Sequence, residues 1–262
     1  MDYEDLLLEK KEGIATITLN APERLNALSG KMTNSMSLAV DEIAKDDEVK
    51  VVIVTGAGRG FCAGADTSAI RDLSEGTARR SRYDQFHRLG QGPHSLIRLH
   101  KPVIGAINGV AAGAGFGLAL SCDIRIASEA ARFVVSQTNL GLMPDGGLTY
   151  LLPLAVGTSK ALEIMFTGDT ISAAEAERVG IVSRVVPPDE LMKVSQELAA
   201  KIAQKSPISL GLIKRVEYET LSSEMPHYLD LEAYGQNWCA RTEEHRAALR
   251  AFAERRQRPQ EK

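Results

Sequence analysis

Two short runs of β-branched and small apolar residues, each leading straight into a loop of glycine and alanine, constrain this chain most. The first is Val51-Val52-Ile53-Val54, followed by a glycine-rich stretch from Gly56 to Gly64. The second is Val103 to Ile107, entered through Lys101-Pro102, which breaks a preceding helix, and followed by Asn108-Gly109-Val110-Ala111-Ala112-Gly113-Ala114-Gly115. An apolar run of this length without alternation predicts a strand buried on both faces.

The rest of the chain sorts around these two strands. Residues 3–9 and 14–19 alternate apolar and polar on either side of Gly13 and predict paired strands. Asn20 to Glu23 is a turn, and Ser29 caps a helix from about Lys31 to Lys45. Residues 67–100 are polar and helical in character. A short apolar helix is expected at about Phe116 to Leu120, with further strands at Asp123 to Ala127 and Phe133 to Val135. From Gly146 onward the pattern is helical. Ser172-Ala173-Ala174-Glu175 is a capping-box signature, and Ser206-Pro207 pairs a cap with a first-turn proline. Helices are expected over Asp189 to Gln204, Ile208 to Glu219 and Thr242 to Arg255. Strand–helix alternation followed by helices alone predicts an α/β core with a helical C-terminal subdomain. No repeat of fixed period and no low-complexity linker is visible.

Composition narrows the function. A net charge of -3 gives neither a basic footprint for nucleic acid nor an acidic tail. No apolar run is long enough to span a bilayer, and the acidic-then-basic start is unlike a signal or transit peptide, so a cytoplasmic protein with no membrane partner is expected. The three cysteines, Cys62, Cys122 and Cys239, and the five histidines are scattered without metal-ligand spacing. No metal is expected, and the cysteines read as reduced thiols.

Thr55-Gly56-Ala57-Gly58-Arg59-Gly60 after a strand invites a dinucleotide-binding reading. It lies too far into the chain for the usual first strand–helix unit. Cys62 stands where a short-chain dehydrogenase needs another glycine, and neither a Tyr-x-x-x-Lys nor a Walker lysine occurs. The glycines can be explained by tight turns alone. A third reading is chemical. Phe61-Cys62-Ala63-Gly64-Ala65-Asp66 and Gly113-Ala114-Gly115 both follow buried strands and could aim backbone N–H groups at one point, as an oxyanion requires. The short helix after Gly113 adds its positive N-terminal end.

An ordered set of segments over nearly the whole chain resembles the crotonase (enoyl-CoA hydratase/isomerase) family. The set runs through Pro22-Glu23-Arg24-Leu25-Asn26-Ala27-Leu28, Gly60 to Asp66, Lys101 to Gly109, Gly113-Ala114-Gly115, Cys122-Asp123-Ile124, Leu140 to Gly147 and Thr167-Gly168-Asp169. Each piece is weak alone, and the ordered set is specific. The resemblance implies a spiral of ββα units over residues 1–200 and a helical trimerisation region over 201–262. It implies a homotrimer or dimer of trimers, and an acyl-CoA thioester substrate with no cofactor besides the coenzyme A of that substrate. It places the oxyanion donors at the backbone N–H groups of Ala65 and Ala114. Gly64, Asp66, Gly113, Gln137 and Leu142 then border the substrate.

Hydratase-type relatives carry two glutamates where this chain has Gly117 and Gln137, and neither residue can act as a base. The resemblance leaves Asp145, at the place where isomerase relatives keep an acidic residue, in an expected apolar setting of Leu142, Met143 and Phe116. On the residues alone Asp145 reads first as a turn or cap aspartate before Gly146-Gly147. Within the family frame it becomes the base of an isomerase, acting on β,γ-enoyl-CoA or on a ring epoxide of phenylacetyl-CoA; the segments Asn108 to Gly115 and Leu140 to Gly147 particularly resemble phenylacetate-pathway ring isomerases, which act on that epoxide. Hydration and a non-catalytic acyl-CoA-binding trimer are the alternatives. A dehalogenase is disfavoured, because such relatives have a tryptophan at the Gln137 place and a histidine near Gly90, whereas Trp238 lies in the C-terminal helices. Asp66 is read as bracing its own loop. Gln137 reads equally as a substrate contact or a polar wall, and Arg24 and Lys31 as coenzyme A phosphate contacts or as surface charges.

Overall fold

The computed structural model describes residues 3–66 and 91–257. Most of the polar stretch over residues 67–100, expected to be helical, lies outside them. Strands β1 (Leu6–Lys11) and β2 (Ile14–Leu19) form an antiparallel hairpin, and β2 then pairs in parallel with β3 (Val51–Gly56). Parallel pairing continues through β5 (Val103–Ile107), β7 (Ile124–Ser128) and β10 (Arg184–Val186), giving a six-stranded sheet in the order β1-β2-β3-β5-β7-β10. A second sheet collects β4 (Gly60–Cys62), β6 (Val110–Ala112), β8 (Arg132–Val134) and β9 (Ile171–Ser172) in that order.

Three times in succession the chain thus lays one strand in the large sheet and the next in the small one. The repeat is one of structure, and no sequence period betrays it. Strands β4 and β6 fall inside the stretches expected to be loops. At three residues each, bounded by glycines, they are too short to show alternation.

The β3 and β5 runs are buried throughout. Val51, Ile53, Ile104 and Ala106 pack on one face with Leu191 and Ala199, while Val52, Val54, Val103 and Ile107 join the main core on the other. This is the physical reason for an apolar run without alternation.

Helix α1 (Gly30–Lys45) starts where Ser29 accepts from the Met32 N–H at 3.1 Å. Helices α2 (Gln91–Arg98) and α3 (Ala114–Leu120) follow, then α4 (Leu148–Val156), α5 (Thr158–Thr167), α6 (Ala173–Val179), capped by Ser172, and α7 (Leu191–Ala203). The C-terminal part departs from expectation. Instead of ending near Glu219, α8 runs without a break from Pro207 to Cys239, 33 residues, and α9 covers Glu243–Gln257. It continues past Pro226, a residue that costs about 3 kcal/mol in a helix interior. Packing offsets that cost: Met225, Glu232 and Ala233 are buried, and the Tyr228 ring lies 4.6 Å from that of Tyr150.

Candidate active site

The loop after β4 and the start of α3 meet in the middle of the molecule. Gly64 has φ +93°, and a Cβ there would lie 2.7 Å from the Ala112 carbonyl oxygen and 3.5 Å from the Ala114 nitrogen. Only glycine lets the two loops approach this closely. The Leu28 N–H donates to the Gly64 carbonyl at 2.7 Å, and the Asp66 N–H donates to the Leu28 carbonyl at 3.2 Å. In this parallel bridge the N–H of Ala65 faces away from Leu28. Ala114 is the first residue of α3, so its N–H has no partner inside the helix. Ala65 is exposed and Ala114 half-buried.

Two asparagines hold the loop entrance. Asn26, fully buried, accepts from the Ala21 N–H and donates to the carbonyls of Ala57 and Gly60. Asn108 accepts from the Gly56 N–H and donates to the carbonyls of Gly58 and Gly60. Sequence reasoning quoted both residues only as parts of motifs; their roles as braces emerge from the hydrogen bonds.

Asp145 lies beside these loops. A Cβ on its neighbour Gly146 would stand 3.1 Å from the Ala114 Cα, and a Cβ on Gly113 would stand 3.3 Å from the Gln137 amide nitrogen. The Gln137 Nε2–H donates to Asp145 Oδ1 at 2.7 Å. Burial raises the Asp145 pKa above the ordinary carboxylate range, and the Gln137 and backbone hydrogen bonds pull it partly back. Gln137 is itself buried, and among the described residues its Oε1 finds no hydrogen-bond partner. The structure therefore brings Gly64, Ala65, Gly113, Ala114, Gln137 and Asp145 together.

Leu142 and Pro144 line a cleft of about 710 Å³ shared with Met143, Tyr150, Phe166 and Tyr228. Phe116, expected beside Asp145, is fully buried with its ring 5.3 Å from that of Phe133. Arg24 is paired with Asp5, and Lys31 with Glu4 at 3.0 Å. Backbone crowds Gly117, where a Cβ would lie 2.2 Å from the Gly146 carbonyl oxygen.

The Enoyl-CoA hydratase/isomerase family model matches residues 9–262. This chain belongs to the enoyl-CoA hydratase/isomerase family. Among its relatives is a short-chain-enoyl-CoA hydratase of Clostridium acetobutylicum, 38% identical over 98% of this chain and 97% of that protein. Another is a 1,2-epoxyphenylacetyl-CoA isomerase of Escherichia coli strain K12, 37% identical over 97% of each. A crystal structure of an enoyl-CoA hydratase from Mycobacterium avium subsp. paratuberculosis K-10 superposes with a TM-score of 0.84 at 29% identity, covering 97% of both chains. Membership of the enoyl-CoA hydratase/isomerase family makes the chain an enzyme acting on acyl-CoA thioesters. Its fold is the α/β crotonase fold with a helical C-terminal region. Among the described residues no cluster of His, Cys, Asp or Glu could hold a metal, and no helix is long and apolar enough to cross a membrane.

A second buried carboxylate escaped sequence reasoning. Glu232, on α8, accepts from the Gly147 N–H at 2.9 Å and from the Thr149 N–H and hydroxyl at 3.0 and 2.5 Å. Burial pushes its pKa up to about 7 against the pull of these donors, and the nearby Asp145 charge pushes it further the same way. The signal was faint: a glutamate sharing a helical face with Tyr228 and Gln236, in a segment between the expected spans Ile208 to Glu219 and Thr242 to Arg255.

Proposed function

We propose that this enzyme is an acyl-CoA isomerase in which Asp145 is the sole proton carrier. In β,γ-enoyl-CoA isomerisation the thioester oxygen accepts hydrogen bonds from the N–H groups of Ala65 and Ala114. Asp145 removes a proton from the carbon next to the thioester, and the negative charge moves onto the thioester oxygen as an enolate. Asp145, now protonated, returns the proton two carbons further along, so the double bond comes into conjugation with the carbonyl. One carboxylate serves as base and then as acid, and a raised pKa favours the return step. Gln137 orients the carboxylate through its hydrogen bond, while Gly64, Gly113, Asp66 and Leu142 border the substrate.

The observation that carries this reading is the Gln137–Asp145 pair beside two small-residue loops, at a site where backbone crowds Gly117. Isomerisation of a ring epoxide of phenylacetyl-CoA is supported by the Escherichia coli relative and uses the same thioester contacts. We further propose that residues 201–262 mediate assembly into a homotrimer or a dimer of trimers.

The test is ultraviolet absorbance on mixing β,γ-enoyl-CoA with the protein and with Asp145→Asn. The conjugated-thioester band should grow with wild type and fall by at least about a hundredfold in rate with the variant, the scale of losing a positioned acid–base group. A flat wild-type trace from protein that binds acyl-CoA sinks the aliphatic reading. Loss of the conjugated-thioester band of an α,β-enoyl-CoA, with formation of the 3-hydroxyacyl-CoA and no isomerisation of the β,γ substrate, would return the enzyme to the hydratases.

A further inference from the structure

Helices α8 and α9 grip the segment that carries Asp145 at several points. His245 Nδ1 lies 2.6 Å from the Leu140 carbonyl oxygen. The Gln236 amide donates to the Met143 carbonyl at 2.5 Å. Gly235 lies against Met143 so closely that a Cβ there would stand 2.0 Å from the sulfur. Glu232 then takes the N–H groups of Gly147 and Thr149, with the Thr149 hydroxyl. Residues 232, 235 and 236 are spaced three and four apart, so one face of α8 makes these contacts.

Glu232 reaches across 85 residues of sequence to bind the N–H two places after Asp145. Gly146 and Gly147 both have positive φ, +71° and +81°, and Gly147 starts α4 without a side-chain cap of its own. Two glycines in succession make a weakly self-determined turn. The first-turn N–H groups of α4 need an acceptor, and a distant carboxylate supplies it. Its two oxygens fix the turn on one side, as Gln137 fixes the Asp145 carboxyl on the other.

We infer that Glu232 is a positioning residue for the reaction: by holding the Gly147–Thr149 backbone it sets where the Asp145 carboxylate stands relative to the Ala114 N–H. The inference rests on Asp145 being the proton carrier. It makes the C-terminal helix part of the catalytic apparatus without touching substrate. A misplaced acid–base group lowers turnover far more than it lowers thioester affinity.

Three variants of the full chain separate the possibilities. Glu232→Gln keeps the shape but presents an amide N–H₂ to one of the backbone donors. It should lower kcat about tenfold or more while the affinity for a non-isomerisable saturated acyl-CoA, measured by calorimetry, stays within about twofold. Thr149→Val removes only the hydroxyl donor and should lower kcat about threefold at unchanged affinity. Asp145→Asn tests the underlying reading on the same substrate. If Asp145→Asn is inactive and Glu232→Gln and Thr149→Val both turn over like wild type, the positioning role is wrong and Asp145 stands. If affinity and kcat fall together in Thr149→Val, Glu232 merely supports the fold, and the inference is also wrong. Full activity of Asp145→Asn overturns the parent reading and this one with it. Should Glu232→Gln not fold, Thr149→Val decides by the same split between kcat and affinity.

Discussion

Gly117 shows how one residue restricts the chemistry. It lies in α3 with backbone of the Gly146 turn so close that a Cβ would stand 2.2 Å from the carbonyl oxygen. A side chain there must push the Asp145 loop away from Ala114. Gly117→Ala should therefore destabilise the protein by about 1–3 kcal/mol, the range for overpacking, despite the better helix propensity of alanine. Chemical denaturation checks this, and an unchanged midpoint would mean that the loop yields to a side chain there. Asp145 and Gln137 were singled out only through the resemblance: by its residues alone Asp145 reads as a turn aspartate between Pro144 and Gly146, and Gln137 stands in an ordinary Ser-Gln-Thr stretch. Their mutual hydrogen bond could not be read at all, because it spans eight positions of sequence through a stretch that must fold first. Glu232 was invisible for a related reason: besides the Thr149 hydroxyl, its partners are backbone N–H groups, which every residue but proline carries and no sequence pattern marks.

At the scale of elements, caps and breakers were the readable signals. Ser29, Ser172 and Ser206 each accept from the backbone N–H three residues on, as the sequence predicted for such residues at helix starts. The uninterrupted α8 was not readable, since Pro226 argues locally for a break and only tertiary contacts override it. Those contacts give α8 a pH dependence. Glu232 has its pKa raised from 4.5 to about 7 by burial. The folded state therefore holds a proton that the unfolded state has already released between these values, and stability falls as pH rises through that window. The contribution is complete below about pH 4.5 and lost above about pH 7, a difference on the order of 3 kcal/mol. Denaturant unfolding at pH 5 and pH 8 measures it, with Glu232→Gln as the reference that should flatten the slope. An equal slope in that variant would assign the dependence to other groups, with Asp145, raised in the same direction, the first to examine.

For the whole molecule, the C-terminal helix is fastened to the core through both of its halves. Lys214, buried, pairs with Asp123 at 2.8 Å and donates to the carbonyls of Leu96 and Lys101, while Glu232 holds the other half. On the outer side Ile208, Leu212 and Val216 are 76%, 55% and 70% exposed, four residues apart and so aligned in one stripe. Phe166 at 73% and Trp238 at 68% add large exposed rings elsewhere on the described surface. Contiguous apolar surface of this kind on a chain with no membrane-spanning helix among its described residues is the usual mark of association. The expected outcome is a species several times larger than one chain in sedimentation velocity, stable on dilution to micromolar concentration. Leu212→Glu with Val216→Glu should shift it toward monomer, because charges on the stripe must be desolvated for the helices to meet. A wild-type monomer at all concentrations would refute the proposed trimer. A stable oligomer untouched by the two glutamates would move the interface off this stripe, toward Phe166 and the cleft beside Leu142. Because α8 also carries Glu232, the two readouts can be joined: if assembly presses α8 onto the core, the dissociated variant should lose turnover more than acyl-CoA affinity, the same split expected of Glu232→Gln.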